Sequence, residues 1–262
     1  MKFGMPNLVE CETLEECAAL AKDQSLDFIE INMSFPEFTP GRFDINNANR
    51  IRKEYGIFYT IHADEALNPF DFNKTVSECY FDVMRSTIDV AKKIEASVIN
   101  LHLQKGIYVT LPKKVILLTD VYREEYLSRV KEFIAMCERE LSETDIKICI
   151  ENVDSNEFTS SELDALDLFL NSEVFALTLD TGHECKLKYK DSHVFEKNPE
   201  KLLHMHLHDA VNGAPHMPLG EGDVDVIGKI SKLRGKTCLI EVKTVDGLKK
   251  SVKYLNERGL MK

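Results

Sequence analysis

The chain has 262 residues, long for one small core and within the range of a single α/β barrel. Hydrophobic residues at 44% and charged ones at 29% exclude a disordered chain, and no apolar run approaches the ~18 residues of a membrane span. With 33 basic against 44 acidic side chains, the net charge of −11 disfavours a nucleic-acid coat or a binder of anionic membranes.

The N-terminal MKFGMPNLVE lacks the apolar stretch of a secretory signal, and the seven cysteines form no spaced framework. Reduced thiols and a cytoplasmic location are expected. No repeat, low-complexity tract or linker divides residues 1–262, which read as a single domain.

A β-branched or aromatic run followed by an amphipathic stretch recurs along the chain. In order, strands are predicted at 2–5, 28–32, 58–62, 98–103, 146–152, 175–180, 202–208 and 238–242. After the first, Thr13 and Glu16 have the spacing of a capping box. After the third, Val76, Tyr80, Val83, Thr87, Ala91 and Ile94 recur at helical spacing. Residues 106–120, GIYVTLPKKVILLTD, carry two β-prone runs around Pro112-Lys113-Lys114. They predict a hairpin inserted after the fourth strand, above the catalytic face, as an edge-covering loop or a substrate lid. Tyr126, Val130, Phe133, Cys137 and Leu141 mark the next helix, and Thr159 with Glu162 the start of another. Between Asp180 and Leu202 no clear helix is visible. Eight strands alternating with helices favour a closed, parallel (β/α)8 TIM barrel over an open sheet.

Strand parity agrees. Ile29, Ile31, Ile99, Leu101, Ile148, Ile150, Leu177, Leu179 and Ile240 form the aliphatic set, expected to face the helices. The alternate set, Glu30, Asn32, Asn100, His102, Cys149, Glu151, Thr178, Asp180 and Glu241, would face the barrel axis. Its polar members cluster at the C-terminal strand ends, where such barrels carry their chemistry.

His62, His102, Glu151, Asp180, His206 and Glu241 fall at the ends of six different strands. His183, three residues past Asp180, and His216, in the loop after the seventh strand, join them. So many carboxylates and imidazoles in one mouth would repel and desolvate badly without a counter-ion. A divalent cation resolves this, and the mixed O/N set suits Mn²⁺, Zn²⁺, Co²⁺ or Mg²⁺ alike. Taken singly, each has a plainer reading. A lone buried acid pairs with a lysine or a backbone N–H. His62 and His102 serve equally as hydrogen-bonded core histidines or hydroxyl contacts. His204 packs deeper in the barrel, His208 contacts substrate or solvent, and His193 lies on the surface. The cysteines are small core or surface residues, and PLGEG (218–222) is a tight turn near His216.

Five segments carry a family resemblance: CIENVD (149–154), LTLDTGH (177–183), MHLHD (205–209), HMPLGEGDVD (216–225) and LIEVK (239–243). Together they resemble the xylose-isomerase-like TIM barrels, which include sugar isomerases, ketose 3-epimerases and endonuclease IV. The resemblance to the epimerase branch implies one metal held by Glu151, Asp180, His206 and Glu241, with His183 touching substrate oxygens. The endonuclease branch implies a second metal at His62 and His102, and a third at His183 and His216. There the sequence departs: the carboxylate that branch places two residues before the loop histidine is Ala214 here.

The reading favoured on these grounds is a metal-dependent isomerase or epimerase of a small sugar or sugar phosphate. A metal-stabilised cis-enediolate would form, with Glu151 and Glu241 as acid and base on opposite faces. His183, His62, His102, His216, His208 and Glu30 are candidate substrate contacts. No nucleotide fingerprint appears, so no nucleotide cofactor is expected. The alternatives are an endonuclease IV-like hydrolase of abasic DNA, for which Lys113, Lys114, Lys186, Lys188 and Lys190 are the positive loops, and a non-catalytic metal- and sugar-binding barrel. Oligomeric state is open, a homo-oligomer included.

Overall fold

The computed structural model describes residues 1–153, 157–233 and 236–261. Asp154, the last residue of CIENVD, lies outside the described residues.

In chain order the strands are β1 (Lys2–Pro6), β2 (Phe28–Asn32), β3 (Phe58–His62), β4 (Val98–His102), β5 (Tyr108–Leu111), β6 (Lys114–Leu117), β7 (Lys147–Glu151), β8 (Phe175–Asp180), β9 (Leu202–Leu207), β10 (Asp209–Val211), β11 (Ala214–Met217) and β12 (Thr237–Ile240). Eight of them pair in parallel and close into a barrel in the order β1-β12-β9-β8-β7-β4-β3-β2. The TIM barrel expected from the sequence is thus formed, with each predicted strand within about two residues of its place.

Register settles parity. His204 pairs with Thr237 and His206 with Leu239, while Glu30 pairs with Thr60 and Asn32 with His62. Pairing partners share a face, so the Glu30 and His206 series both point inward. The aliphatic set faces the helices and merges with their apolar stripes. Low in the barrel, Val98, Cys149 and Ala176 form a small apolar floor. Gly4 sits there because a Cβ would overlap the ring of Phe28. Polar side chains occupy the levels above that floor.

Ten helices are described: α1 (Leu14–Asp23), α2 (Ile45–Tyr55), α3 (Lys74–Ile94), α4 (Leu118–Val121), α5 (Arg123–Leu141), α6 (Ser160–Leu170), α7 (Thr181–Lys186), α8 (Ser192–Lys197), α9 (Val226–Lys232) and α10 (Val245–Glu257). Thr159 and Glu162 make the full reciprocal capping box of α6. Thr13 caps α1, but Glu16 reaches back to the N–H of Glu12 instead of Thr13. On α5 the expected stripe is buried as read. On α3 it is rotated: Ser77, Phe81, Met84 and Ile88 are buried, while Val76 is exposed and Tyr80 and Val83 are half-buried. The two stripes share Thr87, Ala91 and Ile94. The buried one carries the larger apolar surface, and full burial of each such side chain contributes on the order of 1.5–3 kcal/mol.

Two features differ from expectation. The connection after Asp180 holds α7 and α8, each too short for periodicity to reveal. A second hairpin, β10–β11, follows β9. Its Asn212-Gly213 turn has both residues at positive φ, 50° and 80°, and Asn-Gly between short strands was the signal available for it. The expected hairpin β5–β6 forms, with Tyr108 63% and Val115 61% exposed, and none of its residues lines the central cavity.

Candidate metal centre and active site

A cavity of about 650 Å³ opens at the C-terminal ends of the strands. Glu30, His62, His102, Glu151, His183, His216 and Glu241 line it, together with Lys243, Glu65 and Gln104. Asp180 and His206 lie just beneath its floor, with no solvent exposure. The barrel therefore brings together the residues that six strand ends and two loops were expected to contribute.

Their positions follow from the strands. Glu151 ends β7 and Asp180 ends β8, so the loops that follow leave both carboxylates at the mouth. Asp180 is also the N-cap of α7, its Oδ1 accepting the His183 N–H at 2.6 Å. That cap turns the chain sharply and places His183 beside Glu151, with Nδ1 3.7 Å from Oε1. Because His183 Nδ1 lies 3.0 Å from the Asn152 carbonyl, it donates there, and Nε2 is left with its lone pair.

Glu151, Asp180, His206 and Glu241 each offer one ligand atom, all within 4.8 Å of one another. His206 Nδ1 is 3.1 Å from Glu151 Oε1 and 3.0 Å from Glu241 Oε2. Even so, His206 Nδ1 and Glu241 Oε2 are buried without a hydrogen-bond partner. Close as they are, the two are not aligned for a hydrogen bond, and buried polar atoms left unpaired are costly. An oxygen-and-nitrogen cluster of this kind fits a divalent cation.

On the opposite ring nitrogen, His206 Nε2 lies 3.0 Å from Glu30 Oε1. Glu30 Oε2 accepts from Thr60 Oγ1 at 2.8 Å and lies 3.0 Å from His204 Nε2. His206 Nε2, close as it is, makes no aligned hydrogen bond; Glu30 faces it as a counter-charge, from the side where a carboxylate would orient a ligand histidine. Glu30 thus lines the cavity from below, held by hydrogen bonds to Thr60 and His204. His204 lies deep, as expected, its Nδ1 2.7 Å from Thr237 Oγ1.

A second group gathers on the other side of Glu151. His102 Nε2 is 3.1 Å and His62 Nε2 3.6 Å from Glu151 Oε2. His62 Nδ1 donates to the Ala63 carbonyl at 2.8 Å, which turns Nε2 toward the carboxylate. Asn100 Nδ2 also donates to Glu151 Oε2.

Electrostatics tie these groups together. Burial opposes charge on His62, but Glu151 outweighs it and lifts His62 to about 9. Burial likewise opposes charge on His206, and Glu151, Glu30 and Glu241 overcome it, holding His206 well above the usual imidazole range. Despite desolvation, the His206 charge holds Glu151 and Glu241 well below the usual carboxylate range. His216 moves the other way: burial lowers it to about 4, so it is a neutral imidazole at pH 7.

One placement departs from the sequence reading. His208, expected to meet substrate or solvent, is fully buried outside the cavity lining, its Nε2 2.9 Å from Asp180 Oδ2. The PLGEG segment is the expected tight turn, the Glu221 N–H donating to the Pro218 carbonyl at 3.1 Å, and it is built around Asp209, which accepts the N–H groups of Gly220 and Val224 at 2.9 Å each. A Cβ at Gly222 would overlap that carboxylate. His193 is on the surface as expected. Sequence reasoning gave no role to Asn152, whose side chain joins β7 to β8, or to Lys243, whose Nζ lies 2.7 Å from Glu241 Oε1. An amide immediately after Glu151 was the signal for the first; nothing distinguished the second.

Residues 18–258 match the family model of the xylose isomerase-like TIM barrel. An uncharacterized protein of Methanocaldococcus jannaschii, MJ1614, is 24% identical over 98% of this chain and 99% of the relative. Among solved structures, a D-tagatose 3-epimerase-like protein superposes with a TM-score of 0.77 at 24% identity, covering 98% of this chain and 96% of that one. The IOLI protein with a bound zinc atom gives 0.74 at 13% identity, covering 99% and 97%.

Proposed function

Because this chain belongs to the xylose isomerase-like TIM barrel family, we propose that it is a divalent-metal-dependent isomerase or epimerase of a small sugar or sugar phosphate. The observation that carries the reading is the buried, unpartnered pair His206 Nδ1 and Glu241 Oε2, converging with Glu151 and Asp180 beneath an open cavity. Zinc in the IOLI protein and the epimerase-like neighbour support it.

Glu151, Asp180, His206 and Glu241 would hold the ion, and their ligand chemistry suits Mn²⁺, Zn²⁺, Co²⁺ or Mg²⁺ alike. A bound cation supplies Lewis-acid polarisation of a substrate carbonyl and its neighbouring hydroxyl. Glu151 and Glu241 come from different strands and stay ionised at neutral pH, so one removes the proton beside the carbonyl and the other returns it from the opposite face. His183 Nε2 and the neutral His216 orient substrate oxygens. His62 and His102 contact hydroxyls or hold a second ion, and Lys243 stabilises ionised Glu241. The fold works as one domain over residues 1–262, and the seven free thiols support a cytoplasmic location.

One observation favours a second reading, a hydrolase of abasic-site DNA like endonuclease IV. His62, His102 and Glu151 form a ready ligand group of their own. The exposed Ala214 leaves no carboxylate beside His216 on the strand that carries it, which counts against it. The direct test pairs solvent-deuterium exchange into ketoses with nicking of an abasic duplex. Exchange without nicking supports the isomerase; nicking without exchange replaces it.

A further inference from the structure

His208 lies two residues beyond His206 on the same inward face, yet it is sealed from the cavity. Its ring stands between two parts of the site. On one side Nδ1 is 2.8 Å from the backbone N of His216, in hairpin β10–β11. On the other, Nε2 is 2.9 Å from Asp180 Oδ2. A backbone N–H can only donate, so Nδ1 carries the lone pair. The ring proton then sits on Nε2 and is given to the carboxylate. The Asp209 carbonyl, 3.2 Å from Nδ1, is a contact in this tautomer rather than an acceptor.

The surroundings hold the ring in that pose. Thr181 Oγ1 accepts the His208 N–H at 3.1 Å and donates to its carbonyl at 2.8 Å. The ring lies flush on Gly182, where a Cβ would overlap Cε1 and Nδ1. At the far end, His216 has φ 61°, a left-handed conformation that a non-glycine residue keeps only when its neighbours enforce it. The His183 N–H takes Asp180 Oδ1, so each oxygen of that carboxylate has one fixed donor.

We propose that His208 is a positioning residue: it relays the placement of hairpin β10–β11 to Asp180 and fixes the orientation of the carboxylate that would hold the ion. With both nitrogens engaged, His208 is not itself a ligand. Partners behind a metal ligand are typically worth about 10–100-fold in affinity. The assignment rests on the metal-centre reading above.

The two ring nitrogens can be tested separately by Co²⁺ titration followed through its visible absorption. His208→Asn keeps an acceptor near the His216 N–H but has no donor at Asp180; about tenfold weaker Co²⁺ binding and an altered spectrum are expected. His208→Gln reaches Asp180 with its amide donor and should keep Co²⁺ affinity within about threefold and the native spectrum. Gly182→Ala displaces the ring and leaves every ligand intact, so it should behave like the Asn variant and carries the test if that variant does not fold. Wild-type affinity and spectrum in both the Asn and Ala variants overturn the proposal. Loss of a whole Co²⁺ equivalent in both the Asn and Gln variants makes His208 a ligand and also overturns it. A wild-type protein that takes up no Co²⁺ removes the metal reading and this proposal together, a result distinct from variants that bind as well as wild type.

Discussion

Asn152 and Asp180 clasp each other across the ends of two adjacent strands. Asn152 Nδ2 donates to the Asp180 carbonyl at 3.0 Å, and the Asp180 N–H donates to Asn152 Oδ1 at 2.8 Å. Because Asn152 follows Glu151 directly, this pair fixes the spacing of two proposed ligands. Asn152→Ala leaves a buried N–H and carbonyl unpaired, a cost of about 1–3 kcal/mol. Reduced thermal stability and weaker metal binding are expected together. Calorimetry of the metal-free and metal-loaded protein checks both, and a variant that loses neither contradicts the clasp.

Removing a ligand should empty the centre without unfolding the barrel. Glu151→Ala, Asp180→Ala and Glu241→Ala each lose most of their metal, read by elemental analysis after dialysis. Each deletes one acid from a crowded set, so the fold persists, as circular dichroism would show. Asp180→Ala pays an added penalty of about 1 kcal/mol for the lost cap of α7. Full metal content in all three variants contradicts the ligand assignment.

Much of this site could be read in the chain because strand parity and strand ends carry it. Glu151, Asp180, His206 and Glu241 fall on the inward parity at strand ends, and register alone assembles them. His208 shared that parity and was misread, because parity gives a side chain's face and not its depth. The rotated stripe of α3 has a similar cause: two overlapping helical faces fit one pattern, and packing against α5 and the barrel decides. Asn152 and Lys243 act through contacts between elements that no local period announces.

Protons would compete with a metal bound at this site. His62, at about 9, and His206, held higher than an ordinary imidazole, both exceed their ordinary value of 6.5 in the metal-free fold. Burial opposes their charge and the surrounding carboxylates overcome it. A raised folded value stabilises the fold fully below the unfolded value and loses that contribution as pH rises through the folded one. Metal-free stability should therefore fall as pH rises from about 7 through about 9. Metal affinity should rise over the same window, since ligation of His206 displaces its proton. Titration calorimetry in buffers of different ionisation heat would register that release, and pH-independent affinity without it contradicts the picture.

The number of ions separates the epimerase-like from the nuclease-like site. One ion at Glu151, Asp180, His206 and Glu241 is expected, with a second at His62 and His102 bridged by Glu151 the permitted extension. Anomalous scattering at the metal edge counts them. A fully occupied three-ion cluster that includes His183 and His216 reverses the ranking of isomerase over nuclease.

The central claim is that Glu151 and Glu241 move a carbon-bound proton. Its most direct test is deuterium incorporation from solvent into a ketose, in the metal-loaded wild type and in Glu151→Gln and Glu241→Gln. Glutamine keeps the shape and one ligand oxygen but is no base. Exchange in the wild type, with its loss in both variants while metal and sugar still bind, is the predicted result. Exchange at the wild-type rate in both variants would contradict the two-glutamate account.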